Sequence, residues 1–259
     1  MLDKDIISKF DPITLQDMDS VRLLDRVDTK FVTDRNMLPE ILAAVAPYYY
    51  SLEIAEKRQF AYNSLYFDTM ENSLYLAHHN GRTNRFKVRQ REYVGSNLFF
   101  LEVKSKSKLN RTIKYRMQIN NIELQLSPGS LEYIRRHTPY KEYDFKPIIS
   151  TRFNRITLVS KSLSERITID TDIFFQHNGS SHKLENLVII EQKRDVRAAV
   201  SHLSNMLEVL RIFPQGFSKY CMGRAFLEQD LKSNNFKPKI LTINKINNGK
   251  YHNRNARQS

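Results

Sequence analysis

Residues 85–91 read RFKVRQR, with a basic side chain at every odd position: Arg85, Lys87, Arg89 and Arg91. Phe86, Val88 and Gln90 fill the even positions. Successive side chains of a β-strand point to opposite faces, so these four cations share one face. That face is turned either to water or to a polyanion. An antiparallel sheet can keep one face wet, so this strand alone does not decide between them.

The other strand-like stretches repeat the division. In LFFLEVKSK, Phe99, Leu101 and Val103 oppose Glu102, Lys104 and Lys106; in TIKYRMQ, Ile113, Tyr115 and Met117 oppose Thr112, Lys114 and Arg116. In ERITID, Ile167 and Ile169 oppose Arg166, Thr168 and Asp170, and in VIIEQK, Glu191 and Lys193 share a face. Summed over the five stretches, the polar face carries ten cations and three acids, Glu102, Asp170 and Glu191. Like charges across a strand ladder repel, and solvated faces usually mix signs. A face this one-sided needs an anion against it. Its many arginines suit phosphate oxygens, which the planar guanidinium grips at two points.

Two geometries fit: an open basic sheet lying on nucleic acid, or a sheet closed around its charged face with helices outside. Every stretch has an apolar face, and several amphipathic helices are available to cover it. The pattern favours the closed or nearly closed form, an α+β fold with an antiparallel β-barrel of about eight strands and helices packed on the outside. Inside such a barrel the three acids gain a role, because carboxylates among phosphate-binding cations let Mg²⁺ or Mn²⁺ bridge to phosphate oxygens.

The 259 residues suffice for a sizeable core, with 41% hydrophobic and 27% charged residues. No apolar run approaches a membrane span and no apolar segment follows the first charges, so a cytoplasmic protein is expected. The single cysteine, Cys221, excludes an internal disulfide and reads as an inert buried thiol. The histidines, including adjacent His78 and His79, show no metal spacing. Of the net charge of +13, seven positive charges fall from Lys232 onward, where no acid occurs. We therefore expect one domain over residues 1–231 and a basic, Asn-rich, flexible tail over 232–259. Helices are expected around Thr14–Asp25, through MLPEILAAVA, Met70–His79, PGSLEYIRRH, DVRAAVSHLSNMLEVLR and FSKYCMGRAFLEQD, with turns at VGSN and KLNR.

In order and spacing, RVDTKF, YNSLYFDT, RFKVRQREY, FLEVK, TIKYR, RFNRI, RITIDT, VIIEQK and FSKYCMG resemble the catalytic domain of the vacuolar transporter chaperone (VTC) polyphosphate polymerases, in the triphosphate tunnel metalloenzyme group. The resemblance spans roughly residues 20–228. It implies a barrel whose hydrophilic tunnel transfers the γ-phosphate of ATP to polyphosphate with Mn²⁺ or Mg²⁺. Among tunnel ligands it implies Lys30, Arg89, Arg91 and Lys114, with Arg155 and Arg166 at further basic positions. Glu191 matches the metal-binding glutamate, Lys193 a basic ligand after it, and Ser218 with Lys219 a phosphate-binding pair at a helix start, where backbone N–H groups also favour anions. The alternation adds Arg85, Lys87 and Lys104 as nucleotide- and polyphosphate-binding candidates.

Two departures stand out. Phe153 replaces the family's usual tyrosine, removing one hydroxyl, and RVDTKF lacks the glutamate pair of the ExExK hydrolases, which favours a polymerase. No phosphate-sensing or membrane-spanning module is expected in this chain, so a separate membrane protein is a candidate partner alongside ATP, polyphosphate and pyrophosphate. No P-loop or dinucleotide fingerprint occurs, so phosphate recognition falls to side chains, and no specific nucleic acid is expected. The alternatives are a triphosphate hydrolase in the same tunnel and a non-catalytic polyphosphate or nucleic-acid binder.

Overall fold

The computed structural model describes residues 4–20, 25–107, 112–198 and 201–249. In chain order its elements begin with α1 (Lys4–Ile7), β1 (Asp11–Ile13), α2 (Leu15–Ser20), β2 (Arg26–Asp34), α3 (Leu38–Val45), β3 (Tyr49–Leu52), β4 (Phe60–Thr69) and α4 (Ser73–His79). The hairpin of β5 (Arg85–Tyr93) and β6 (Leu98–Lys106) leads to β7 (Thr112–Ile119) and α5 (Pro128–His137). Then come β8 (Phe145–Ser160), β9 (Glu165–His177), β10 (Ser180–Leu184), β11 (Leu187–Asp195), α6 (His202–Val209), α7 (Lys219–Leu227) and α8 (Lys237–Asn247).

Eight strands run β2-β11-β9-β8-β4-β5-β6-β7, and each neighbouring pair is antiparallel. The sheet is a curled half-barrel with β2 and β7 at its two ends. Curling shows in the electrostatics. Glu191 on β11 and Lys104 on β6 are five strand steps apart, about 24 Å in a flat sheet. That separation would be screened away, yet the Glu191 carboxylate acts directly on the Lys104 ammonium.

The apolar face of each strand is turned outward and covered. Ile156, Leu158, Ile167, Ile169, Val188 and Ile190 pack with Leu38, Ile41, Leu42 and Val45 of α3 and Leu203 and Leu207 of α6. On the other flank Val88, Leu101 and Val103 pack with Ile134 of α5. The inner face is divided along its length. Lys30, Arg155 and Glu191 occupy one end; two residues along the same strands, Val32, Phe153 and Ile189 join an apolar cluster with Tyr220, Cys221 and Met222 of α7. Helix α7 sits close because position 223 is glycine. A Cβ there would lie 2.6 Å from both Ile149 Cδ1 and Phe175 Cδ1.

The expected elements appear with two differences. The helix expected over residues 195–211 is confined to His202–Val209, because Ser201 caps it and its Oγ accepts from the Ser204 N–H at 3.0 Å. The segment from Lys232, expected to be a flexible tail, contains α8, which buries Ile243 and Ile246 just after the buried Phe236. Apolar residues at helical spacing within a basic, Asn-rich stretch thus have a partner surface to pack on. The KLNR turn, residues 199–200 and the final ten residues lie outside the described set. No helix among the described residues is long and apolar enough to cross a membrane.

Candidate functional site

Three inner-face carboxylates each hold two cations from different elements. Glu102 on β6 accepts from Arg89 of β5 at 2.6 Å and forms an ion pair with Lys114 of β7 at 2.5 Å. Asp170 on β9 takes Arg155 of β8 in a two-point contact, 2.6 and 2.8 Å, and the Lys219 ammonium from the start of α7. Glu191 on β11 accepts from Lys30 of β2 at 2.6 Å and pairs with Lys193 at 3.0 Å. Register explains the last set: Lys30 lies directly opposite Glu191, and Lys193 is two residues along the same face.

Burial opposes ionisation of all three acids, but the paired cations outweigh it. Arg89 with Arg91 and Lys114 hold the Glu102 pKa below the usual range, and Arg155 with Lys219 do so for Asp170. Lys193 and Lys30 hold that of Glu191 far below it. All three are therefore anionic at neutral pH. Each group of one carboxylate and two cations keeps a net positive charge.

Further cations have no carboxylate partner among the described residues. Arg91 is buried, donates from Nε to Ser64 Oγ at 3.3 Å and lies over the Tyr62 and Phe153 rings. Burial, then the neighbouring Arg89 charge, pushes its pKa down to about 10. Lys87 and Lys104 face each other across the β5–β6 ladder. Burial lowers both, and Lys104, reachable by water but flanked by Lys30, Lys87 and Arg89, falls to about 8 despite Glu191. A bound polyanion would relieve all three.

A pH test follows from Lys104. It is charged below about pH 8 and neutral above, so anion affinity is lost as pH rises through that value. Tripolyphosphate affinity should then fall by up to about tenfold per pH unit more in the native chain than in Lys104→Met. Calorimetry across pH 7–10 reads this difference, in which the ligand's own titration cancels. Parallel curves would remove Lys104 from the site.

The remaining predicted residues are placed as follows. Arg166 is half-buried on β9 opposite Lys193. Arg85 sits at the start of β5, where it donates to the Arg82 carbonyl at 3.3 Å. Arg116 is exposed and stacked 3.3 Å over the Phe100 ring. Ser218 is the N-cap of α7, with Oγ accepting from the Cys221 N–H at 3.3 Å, so its hydroxyl orders the helix that carries Lys219. Asp170, one of the three acids on the polar face, pins Arg155 and Lys219.

Phe153 lacks the family's hydroxyl but keeps its ring, over which lie Lys219 Nζ at 4.1 Å, Arg155 at 5.2 Å and Arg91 at 5.8 Å. Tyr62 stacks on it at 5.3 Å, which makes an aromatic floor for the cations. The sequence reading missed Tyr62, Ser64 and Tyr66, whose hydroxyl accepts from Arg89 at 3.2 Å. Their period-two spacing in YNSLY was the signal available.

No group of three or more His, Cys, Asp and Glu able to hold a metal occurs among the described residues. This donor set fits an ion that takes one or two carboxylates and draws its other ligands from phosphate oxygens and water, the habit of Mg²⁺. Glu191 suits that part, since a carboxylate offers about four lone-pair sites and two lysines occupy only some of them.

A family model described as VTC domain matches residues 25–228. The chain belongs to the VTC domain family. Among solved structures, this VTC domain is similar to HpAC1 from Hippeastrum, with 16% identity, a TM-score of 0.52, and coverage of 80% of this chain and 99% of that one. It also matches two proteins from Pyrococcus horikoshii OT3. PH1819 shows 13% identity and a TM-score of 0.41, covering 76% of this chain and 97% of that one. PH1012 shows 9% identity and a TM-score of 0.38, covering 80% and 94%. No curated protein sequence matches. The half-barrel of this VTC domain is thus of the triphosphate-tunnel type.

Proposed function

We propose that this VTC domain is an ATP-dependent polyphosphate polymerase. The observation that supports it is the inner face itself: three anionic carboxylates already committed to two cations each, beside Arg91, Lys87 and Lys104, which form no ion pair with a carboxylate among the described residues. Such a face takes a linear polyanion rather than a single small anion.

Phosphoryl transfer then needs alignment and charge neutralisation more than proton removal. Lys30, Arg89, Arg155 and Lys219 are fixed by their carboxylates and spend no reorganisation on meeting phosphate oxygens. Arg91, on its aromatic floor, has no carboxylate ion-pair partner among the described residues and is left to meet phosphate charge. A divalent metal held by Glu191 would supply further charge neutralisation across the phosphates. The attacking terminal phosphate of the acceptor is itself anionic near neutral pH. Water as nucleophile would have to lose a proton, and the three carboxylates, committed to cations with depressed pKa values, are poor bases. This favours transfer to phosphate over transfer to water.

Hydrolysis is the second reading, because HpAC1 is described as having a dominant triphosphatase activity. Product analysis separates them. Purified protein with ATP and Mn²⁺ should give a ladder of phosphate polymers on a gel, whereas free phosphate without polymer would make this domain a triphosphatase. Glu191→Gln should raise the Mn²⁺ concentration needed for half-maximal rate, and an unchanged requirement would place the metal elsewhere.

A further inference from the structure

Helix α8 lies beyond the family match, which ends at residue 228, and it reaches both flanks of the half-barrel. On one flank it packs against β2 and β11. There the chain at Gln215 donates its N–H to the Lys30 carbonyl at 2.7 Å, and Lys239 Nζ stands 3.6 Å from where a Cβ of Gly216 would be. On the other flank Phe236, just before α8, meets the His78 ring of α4 with centroids 6.2 Å apart. Helix α4 packs in turn on β5. Lys239, three residues after Phe236, thus stands on the side of α8 between the Lys30 end of β2 and α4.

The groups converging there are all basic. Arg85 lies directly opposite Lys106, one pair outward from Lys87 and Lys104 on the same face. His78 Nδ1 is buried without a hydrogen-bond partner. Burial, then the charges of Lys87, Arg85, Lys239 and Lys106, pushes its pKa down to about 2. None of the four has a carboxylate partner among the described residues. The imidazole is neutral at any ordinary pH and has an N–H to donate to an anion.

We propose that Lys239, with Arg85, Lys106 and His78, forms a second phosphate site that holds the part of a polyphosphate chain extending past Lys87 and Lys104. The proposal rests on the polyphosphate reading of the inner face and deepens it. A short ligand fills the inner face and does not reach Lys239, whereas a long chain occupies both. Sequence beyond the family domain thereby sets how strongly long product is retained.

The test compares tripolyphosphate with a long-chain polyphosphate, by calorimetry on the full chain at one ionic strength. Lys239→Ala removes the contact, and Lys239→Gln removes the charge while keeping most of the packed stem. Both variants should lose roughly tenfold affinity for the long chain, the size of one charge-assisted contact, and keep native affinity for tripolyphosphate. Equal loss for both ligands, loss in Lys239→Ala alone, or no loss would overturn the second site. So would the same loss toward a single-stranded oligonucleotide, which would mark a general polyanion surface. If the native chain bound neither phosphate ligand, the functional reading itself would fall, an outcome distinct from the others.

Discussion

Arg91→Met should lower polyphosphate synthesis and affinity by a hundredfold or more while making the ligand-free protein more stable. Loss of a fixed group that stabilises transition-state charge typically costs 10²–10³ in rate. The opposite sign on stability comes from the same cause. Arg91 is 6% exposed, has no carboxylate partner among the described residues, and lies beside Arg89. Its charge is therefore disfavoured in the folded protein and released on unfolding. A methionine of similar length fills the space over Tyr62 and Phe153 without that charge, and should raise the unfolding free energy by about 1–3 kcal/mol, less what the ring contacts and the Ser64 hydrogen bond contribute. Denaturant melts with and without tripolyphosphate would read both effects. A variant that loses activity and stability together would make Arg91 a structural residue.

Arg224→Met should cost about 3–5 kcal/mol of stability, because it breaks a fully buried charge pair from one side. Arg224 is 1% exposed and Asp68 0%. The guanidinium donates to Asp68 at 2.9 Å, to the Tyr220 hydroxyl at 3.1 Å, to Asn72 at 2.8 Å and to both Glu228 oxygens at 2.6 Å. Asp68 also accepts from Tyr220 and from the N–H groups of Leu74 and Tyr75, which ties the end of β4 and the start of α4 to α7. The double variant Asp68→Asn with Arg224→Met should lose less than the sum of the single losses, since no unpaired charge is left at the fully buried Asp68 position. Additive losses in thermal melts would show that the two do not act as a pair. The single variant should also weaken tripolyphosphate binding, because α7 delivers Lys219 to the inner face.

Arg91 was legible in the sequence as a tunnel candidate, whereas Arg224 was not. Alternation placed Arg91 on the basic face with nine other cations, and the resemblance named it a tunnel ligand, but nothing local marks which of these cations lacks an acid partner. Arg224 and Asp68 are 156 positions apart, and no periodicity links a strand end to a helix so distant. His78 was read as bland because its neighbour His79 could not share a metal with it. Its place in the proposed second site comes from Phe236, which packs on its ring from a segment beyond the family domain.

The sequence by itself determined which side chains share a face, because alternation along a strand is a property of the backbone. It placed Glu102, Asp170 and Glu191 among ten cations, and placed the apolar positions opposite them. It also carried enough ordered motifs to resemble the family before any coordinates. Tertiary structure decided the pairings. Strand β2 lies beside β11, near the far end of the domain, and this makes Lys30 the partner of Glu191 across 161 residues. Helix α7 brings Lys219 to Asp170 across 49 residues. Strand order and helix docking depend on how the apolar faces bury one another throughout the chain, and that is a non-local outcome. The same holds for α8: its residues read as solvated tail until the sheet and α7 supply a surface on which Ile243 and Ile246 are buried.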